Sequence, residues 1–581
     1  MKSIFSEFKI KTLLNLSVNK PDLSLTLSLV PSVLSACGGG GSSSASATTA
    51  MAPAPISTSN VASVLAPTPT ADQAARFLLQ LQFSASDAEI ATVQTQGFSL
   101  FLANQFNAAA GTTGWDWQMA QGFNTSAFIT DVTPTDFMMW QQLIASSDGL
   151  RKRMALALSE FFVVSSSGVS TPSCSFAMAQ YWDVLVAGAF GNFRQLLEEV
   201  TLNPAMGQYL NTQGNQKGNA VTGRAPDENF AREVMQLFTI GLYQLNLDGT
   251  NTLLGGLPIE TYTQTDVTQL AQVFTGWGLD PVGNVAVTNP LSVRSRMVLN
   301  AALHETAAVT FLGVTIPANT SGAVALGMAL DALFNHPNVA PFFCKQLIQR
   351  FITSNPSAAY VARVAIVFNN NGSGIRGDLK AVLVAILLDA EARSDVQLVA
   401  LTWGKLREPM LRYVQWARTF GATSPTGKWN IEDMSSAGYR LGQSPLRSVS
   451  VFNFFRPGYV PPNTALALQG LTAPEFQLMN ESSVAGYANS MMSDIVNGHN
   501  SSTGGLAAPA YVAELALAST PVNLVNRLNL LLCAGQLSVT SQNLIQTAIS
   551  TIDASTIAGQ KNRVYSAILL VMVSPDYLIQ K

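Results

Sequence analysis

Charge is what this chain has least of. Only 12% of its 581 residues are Asp, Glu, Lys or Arg, about half the roughly 25% usual in soluble domains. The 32 basic and 35 acidic residues leave a formal net charge of -3. Without a basic excess there is no electrostatic footprint for a phosphate backbone, so nucleic acid is set aside as a partner. Histidine is scarcer still, with three residues. No HExxH, H-x-x-E-H, GxSxG, P-loop or paired-Cys signature occurs. Long apolar runs are also missing from the body of the chain. Ala381 to Leu388 and Ala567 to Val573 are the strongest, and both fall far short of the roughly 18 residues that a membrane-spanning helix needs. Buried helices account for them, and hydrophobic residues at 48% supply a large core.

Four cysteines are present, and the first sits in an informative place. Lys2, Lys9, Lys11 and Lys20 precede an apolar stretch from Leu23 to Ala36, the layout of an export signal over residues 1–36. Leu34-Ser35-Ala36-Cys37 resembles a bacterial lipobox, so Cys37 is the expected lipidation site; the alternative is a cleaved secretory signal with an incidental cysteine. Residues 37–70, rich in Gly, Ser, Ala and Pro, read as a flexible tether. By resemblance to lipoprotein sorting, Gly38 directs the chain to the outer membrane, on its periplasmic face or at the cell surface. The bilayer is then a partner through Cys37. Cys174, Cys344 and Cys533 allow at most one disulfide and no CxxC site. Cys344 and Cys533 lie in apolar helical contexts and are expected as buried small hydrophobes.

From Ala71 onward helical periodicity dominates. Ser86-Asp87-Ala88-Glu89 has the form of a capping box, with Gly97 as a stop. Leu150 to Val164 reads as one long amphipathic helix. Strand signals are confined to about 243–317: a hairpin around Asp248-Gly249, then Val285 to Val287 and Phe311 to Ile316. The expected fold is mainly α, a large multi-helix structure with a small β excursion. Because single cores stop growing beyond about 250–300 residues, two packed lobes are expected, 71–242 and 318–581, within one region 71–581.

In so uncharged a chain, Asp227-Glu228-Asn229-Phe230-Ala231-Arg232-Glu233 is conspicuous. On a helix, Glu228, Asn229, Arg232, Glu233 and Gln236 fall within an arc of roughly 140°. Glu228 and Arg232, four apart, can pair along that face. Pro226 and Asp227 suit the helix start and Gly241 its end.

Six segments resemble the bacterial "domain of unknown function 1800" family: 227–242 (DENFAREVMQLFTIGL), 262–277 (YTQTDVTQLAQVFTGW), 192–210 (NFRQLLEEVTLNPAMGQYL), 154–165 (MALALSEFFVVS), 442–461 (GQSPLRSVSVFNFFRPGYVP) and 574–580 (SPDYLIQ). The resemblance implies an exported bacterial protein, frequently encoded beside "domain of unknown function 1501" proteins, which resemble phosphatase and sulfatase-like hydrolases. One stretch departs from the family pattern of His-Asp, Gly, Lys and Leu-Gly. Here it reads His304-Glu305, then Ala307 and Val309 in place of the glycine and the lysine, ending Leu312-Gly313.

Two functions are compatible with these residues. One is a metal-assisted hydrolase, in which Glu228, Glu233, Asp266 and His304, with Arg232 and Glu305 nearby, hold a divalent metal and activate water; Glu and His could also work as an acid/base pair without metal. In that reading Glu228, Glu233 and His304 are catalytic. The other is a binding or assembly module beside a phosphatase-like partner, in which Asn229, Arg232, Asp266 and Glu305 belong to a paired network. Trp115, Trp117 and the aromatics of 452–459 are then either contact surface or core. His336, before Pro337, is expected to be structural, and His499 to lie in a solvated loop.

Overall fold

Short polar side chains set the helix starts. Thr70, Ser86, Thr263 and Asn480 each accept an N–H from the first turn, while Gln73, Glu89, Asp266 and Ser483 reach back to the caps' own N–H groups. Each box satisfies two donors that the helix leaves orphaned, and the one at Ser86 is the box the sequence predicts. Gly97, at φ 75, breaks the run Asp87–Phe106 into two helical stretches, because a left-handed residue without a Cβ carries no steric penalty.

The computed structural model describes residues 68–581. The export signal, Cys37 and the tether up to residue 67 lie outside the described residues. Among the described residues the fold is mainly α, 52% helical, with 23 α-helices and four two-stranded antiparallel sheets. Three of the sheets fall in the expected β excursion: Leu253–Leu254 with Leu257–Pro258, Trp277–Gly278 with Val298–Leu299, and Val309–Phe311 with Val314–Ile316. The fourth joins Lys405–Leu406 to Ile579–Gln580.

Several expectations need correction. Phe311 to Ile316 is a hairpin turning at Leu312-Gly313, both at positive φ. Val285 to Val287 forms only one bridge, Val285 to Asn289; Pro281 and Pro290 close in on it, and proline cannot donate to a ladder. The helix expected over 150–164 is Gly149–Ser159. Beyond it Phe161 and Phe162 turn into an aromatic cluster, and the Tyr181 hydroxyl donates to the Phe162 carbonyl. Trp115 and Trp117 lie in the helix Gly114–Ala120 and are buried, so they are core and not contact surface.

That aromatic cluster also decides how the two expected lobes relate. Phe161 and Phe193 stand 5.0 and 4.8 Å from Phe343, and Phe193 is 5.5 Å from Phe368. Rings from 71–242 and from 318–581 interlock, and one hydrophobic core runs through both ranges; the described chain belongs to one compact unit. Edge-to-face ring pairs at such distances add to area burial. Cys174, Cys344 and Cys533 are free and buried, and burial pushes the Cys533 thiol up to about 12. Among the described residues no helix is long and apolar enough to cross a membrane.

Candidate functional site

The helix Asn229–Gln236 carries the polar stripe. Asp227 stands just before it and accepts the Asn229 N–H at 2.8 Å. Glu228 is half-exposed and well occupied: it accepts from Thr268 Oγ1 at 2.7 Å, Gln264 Nε2 at 2.8 Å and Arg232 Nη2 at 3.2 Å. These contacts, the Thr268 hydrogen bond foremost, hold its carboxyl below the usual range. Arg232 also donates to Gln264 Oε1 at 2.9 Å. The expected Glu228–Arg232 pair thus exists, on a partly solvated surface where such pairs contribute about 0–1 kcal/mol. Asn229 is half-buried on the same turn.

Glu233 points the other way. It is buried, its Oε2 meets no partner, and burial raises its carboxyl above the usual value. Asp266 serves its own helix: Oδ2 accepts from the N–H and hydroxyl of Thr263, and Oδ1 accepts the Leu312 N–H at 2.7 Å. Burial raises its carboxyl, but these bonds outweigh that and leave it below the usual value.

His304 is buried. Its Nδ1 donates to the Thr275 carbonyl at 2.9 Å, which leaves Nε2 as the acceptor in the neutral ring. Glu305 Oε1 accepts the N–H groups of Thr306 and Ala307, closing a local turn. His304 and Glu305 together line a shallow cleft of about 230 Å³ with Gln272, Val309 and Thr320. Val309, where the family pattern has lysine, is buried in its wall.

The predicted residues therefore separate: Glu228 and Arg232 form a surface network with Gln264 and Thr268, Asn229 beside them; Asp266 caps its own helix; Glu233 is an interior acid; His304 and Glu305 line the cleft. Among the described residues no three His, Cys, Asp or Glu side chains gather as a metal-binding group, so the proposed metal cluster of Glu228, Glu233, Asp266 and His304 does not form. Of the other histidines, His336 accepts the Asn338 N–H at 3.2 Å, a local role. His499 is not solvated: it is buried, with Nδ1 3.0 Å from Asp494.

A denser polar group lies elsewhere. Arg153, Glu160, Arg350, Lys405, Glu408 and Glu475 are all buried. Lys405 Nζ stands 3.0 Å from Glu475 and 3.7 Å from Glu408, and it donates to the Arg350 carbonyl at 2.8 Å. Arg350 Nη2 donates to the Glu160 carbonyl at 2.8 Å, with Nε 3.3 Å from the Glu160 carboxyl. The Arg153 guanidinium lies 4.7 Å over the Phe351 ring. Gln443 donates to Glu408 at 2.7 Å.

The two acids at the centre are driven apart. Burial, then the charge of Glu408, pushes Glu160 well above its usual range. Burial also raises Glu408, but Lys405, Arg153 and the hydrogen bonds from Gln443 and Glu160 outweigh it and leave the group low. The two carboxyls are thus shifted in opposite directions. Opposite shifts are what two interacting acids in one buried site are expected to show. Glu160 lines a second, small cleft with Leu156, Met410, Ser444, Asn453 and Phe454.

A family model described as "Protein of unknown function (DUF1800)" matches residues 76–579, nearly all of the described chain. The chain belongs to the DUF1800 family. No curated protein matches it, and no solved structure does.

Seen as a DUF1800 protein, the chain brings its family-like segments together in an instructive way. The segment 154–165 supplies Glu160 and Leu156, and 442–461 supplies Gln443, Ser444, Asn453 and Phe454. The segment 574–580 forms the strand that pairs with Lys405 and Leu406; its Tyr577 hydroxyl donates to Gln415 at 3.1 Å. Three of the six segments meet at the Glu160 group, which the residue-by-residue reading missed. The available signal was a lone acid inside an apolar run (Leu156-Ala157-Leu158-Ser159-Glu160-Phe161-Phe162), where a solvated role is implausible because an ion there must be paired or neutral.

Proposed function

We propose that this DUF1800 protein is an exported, lipid-anchored component of the bacterial envelope that works as a binding and assembly module for a phosphatase or sulfatase-like partner. One observation carries the assembly role. The ribbon after Gly241 turns at Asp248-Gly249 and again at Gly255-Gly256, and it turns its apolar residues outward. Leu253, Leu254 and Leu257 are 57%, 75% and 71% exposed, with Leu242, Tyr243 and Leu247 exposed along the same ribbon.

Its base is rigid. Asn338 Nδ2 donates to the carbonyls of Ile240 at 2.8 Å and Tyr243 at 2.7 Å, and its Oδ1 accepts the Leu245 N–H at 2.9 Å. Contiguous apolar exposure of this kind marks an interaction surface. A ribbon already ordered before contact loses little entropy on docking. On the polar stripe, by contrast, Glu228 is engaged with Arg232, Gln264 and Thr268, and Glu233 is buried. The lipobox-like Leu34-Ser35-Ala36-Cys37 and the Gly/Ser-rich stretch behind it support the membrane tether. The family resemblance supports the class of partner.

Retention of the neighbouring phosphatase-like protein by the full-length chain tests the assembly role. Leu254→Asp with Leu257→Asp should abolish retention at micromolar concentration while leaving the melting temperature in place; undiminished retention would refute it. Palmitate labelling that persists in Cys37→Ser would refute the anchor.

A further inference from the structure

We propose that residues 395–401 form a lipid-contacting edge of the body, seating their apolar side chains at the headgroup boundary of the bilayer. This rests on the Cys37 anchor proposed above and adds which face of the body meets the lipid. The short 3₁₀ helix Asp395–Leu398 runs on into Val399, Ala400 and Leu401. Val396, Val399 and Leu401 are 74%, 80% and 97% exposed. Side chains three apart in such a helix stand over one another, so Val396 and Val399 share a side. From Val396 to Leu401 the chain carries no charged residue.

The place where the described chain begins favours lipid as the occupant. The first described helix, Ala71–Leu81, follows directly on the stretch that leads back to Cys37. Its first two turns grip the apolar segment. Gln73 Nε2 donates to Asp395 Oδ2 at 2.8 Å, and Arg76 Nη2 donates to Asp395 Oδ1 and to the Arg393 carbonyl, both at 2.8 Å. Residues 37–67, at no more than about 3.6 Å each, reach at most about 110 Å. Tethering gives whatever lies beside the root a high effective concentration at the bilayer, and three exposed aliphatic side chains lie beside this root. Lipid anchors gain durability from such a second membrane contact.

The segment suits an apolar boundary because its polar groups are already engaged, and unpaired ones are costly where water is scarce. The Leu398 and Ala400 carbonyls accept Lys581 Nζ at 2.8 and 3.2 Å. The Val396 N–H donates to Ser394 Oγ at 3.2 Å, and the N–H groups of Val399 and Ala400 donate to the Val396 and Gln397 carbonyls. Asp395, the one acid of the segment, is paired with Arg76. Held from the root helix on one side and from Lys581 on the other, the three side chains are presented in a fixed arrangement and lose little entropy on contact.

Leu401→Cys in the full-length protein, labelled with a nitrobenzoxadiazole dye and reconstituted into phosphatidylethanolamine–phosphatidylglycerol vesicles, tests this. Cys174, Cys344 and Cys533 are buried, so the introduced thiol takes the dye, and vesicle flotation reads the anchor separately. An apolar face seated about 5–10 Å into the boundary should let nitroxide lipids quench the dye at 401 at least about threefold more than a dye at Val221→Cys. Val221, 96% exposed, lies in the turn between Asn219 and Arg224. Val399→Asp should cut the quenching at 401 about threefold without moving the melting temperature. Equal quenching at 401 and 221, or quenching unchanged by Val399→Asp, would overturn the proposal while flotation left the anchor standing. A protein that fails to float would overturn the anchor and this proposal together. Emission at 401 already blue-shifted without vesicles would assign the segment to a second copy or to residues 1–67 of the same chain, and would overturn it too.

Discussion

Arg350 holds Glu160 at two points, through the backbone carbonyl at 2.8 Å and beside the carboxyl at 3.3 Å. The same arginine's own carbonyl receives Lys405 Nζ at 2.8 Å and an Arg153 amino group. One residue thus ties three cations and an acid into a single buried unit. A chain with so few charges concentrates several of them where burial makes each one depend on its neighbours.

Arg350→Met should therefore destabilise strongly. It strips the cation from a group whose remaining acids have no water to turn to, and such losses run to about 3–5 kcal/mol. Urea denaturation of the variant gives the figure. Glu228→Gln, on the partly solvated stripe, should shift the same transition by less than about 1 kcal/mol.

Asp183 predicts a pH dependence. It accepts the N–H groups of Gly114 and Trp115 at 2.7 and 2.9 Å, yet burial pushes its carboxyl from 3.8 up to about 6. The native state then holds this proton more tightly than the unfolded chain does. Stability is fullest below the unfolded value and declines as pH rises from about 4 to about 6, by roughly 3 kcal/mol for this one group. In Asp183→Asn the slope over that window should flatten by about this amount in thermal melts taken from pH 4 to 7.

Asn338→Ala should loosen the ribbon without unfolding the body. Three backbone groups lose their hydrogen bonds to Asn338, each costing about 1–3 kcal/mol where burial keeps water away. Hydrogen exchange should show lost protection over 240–250 and near-native protection in the helix Val339–Phe351; unchanged protection of the ribbon would contradict the anchoring role.

Gly276→Ala should displace His304. At φ 86 a Cβ there is strained, and it would sit 2.8 Å from the Asn300 carbonyl oxygen and 3.0 Å from the His304 nitrogen. A loss of about 1–3 kcal/mol is expected, with a change in the His304 imidazole NMR signals as the Thr275 hydrogen bond breaks.

Local chemistry was the legible part of the sequence. The Ser86–Glu89 box, the Gly97 break, the Asp248-Gly249 turn and the Glu228–Arg232 pair all follow from spacing of a few residues, and all are present. What spacing could not show was which polar residues meet across the fold. Glu228, Glu233, Asp266 and His304 looked like one constellation because their neighbourhoods are polar; Asp266 caps its own helix, Glu228 pairs with Arg232, Gln264 and Thr268, His304 bonds the Thr275 carbonyl, and Glu233 is buried without a partner for Oε2. Glu160 looked inert because its neighbours in sequence are apolar, although its neighbours in space, Arg350, Lys405 and Glu408, come from elsewhere in the chain. The two packed lobes were expected from length alone; one hydrophobic core runs through both ranges, with Phe193 4.8 Å from Phe343.

The strand Ile579–Gln580 clasps Lys405–Leu406, and Gln580 donates to the Phe351 carbonyl at 2.8 Å. Residues synthesised long after Glu160 thus brace the surroundings in which its acid group is tolerable. Removing the last three residues would therefore leave the Lys405 strand and the Phe351 carbonyl without these partners, so the far end of the chain is a structural part of the buried ionic group.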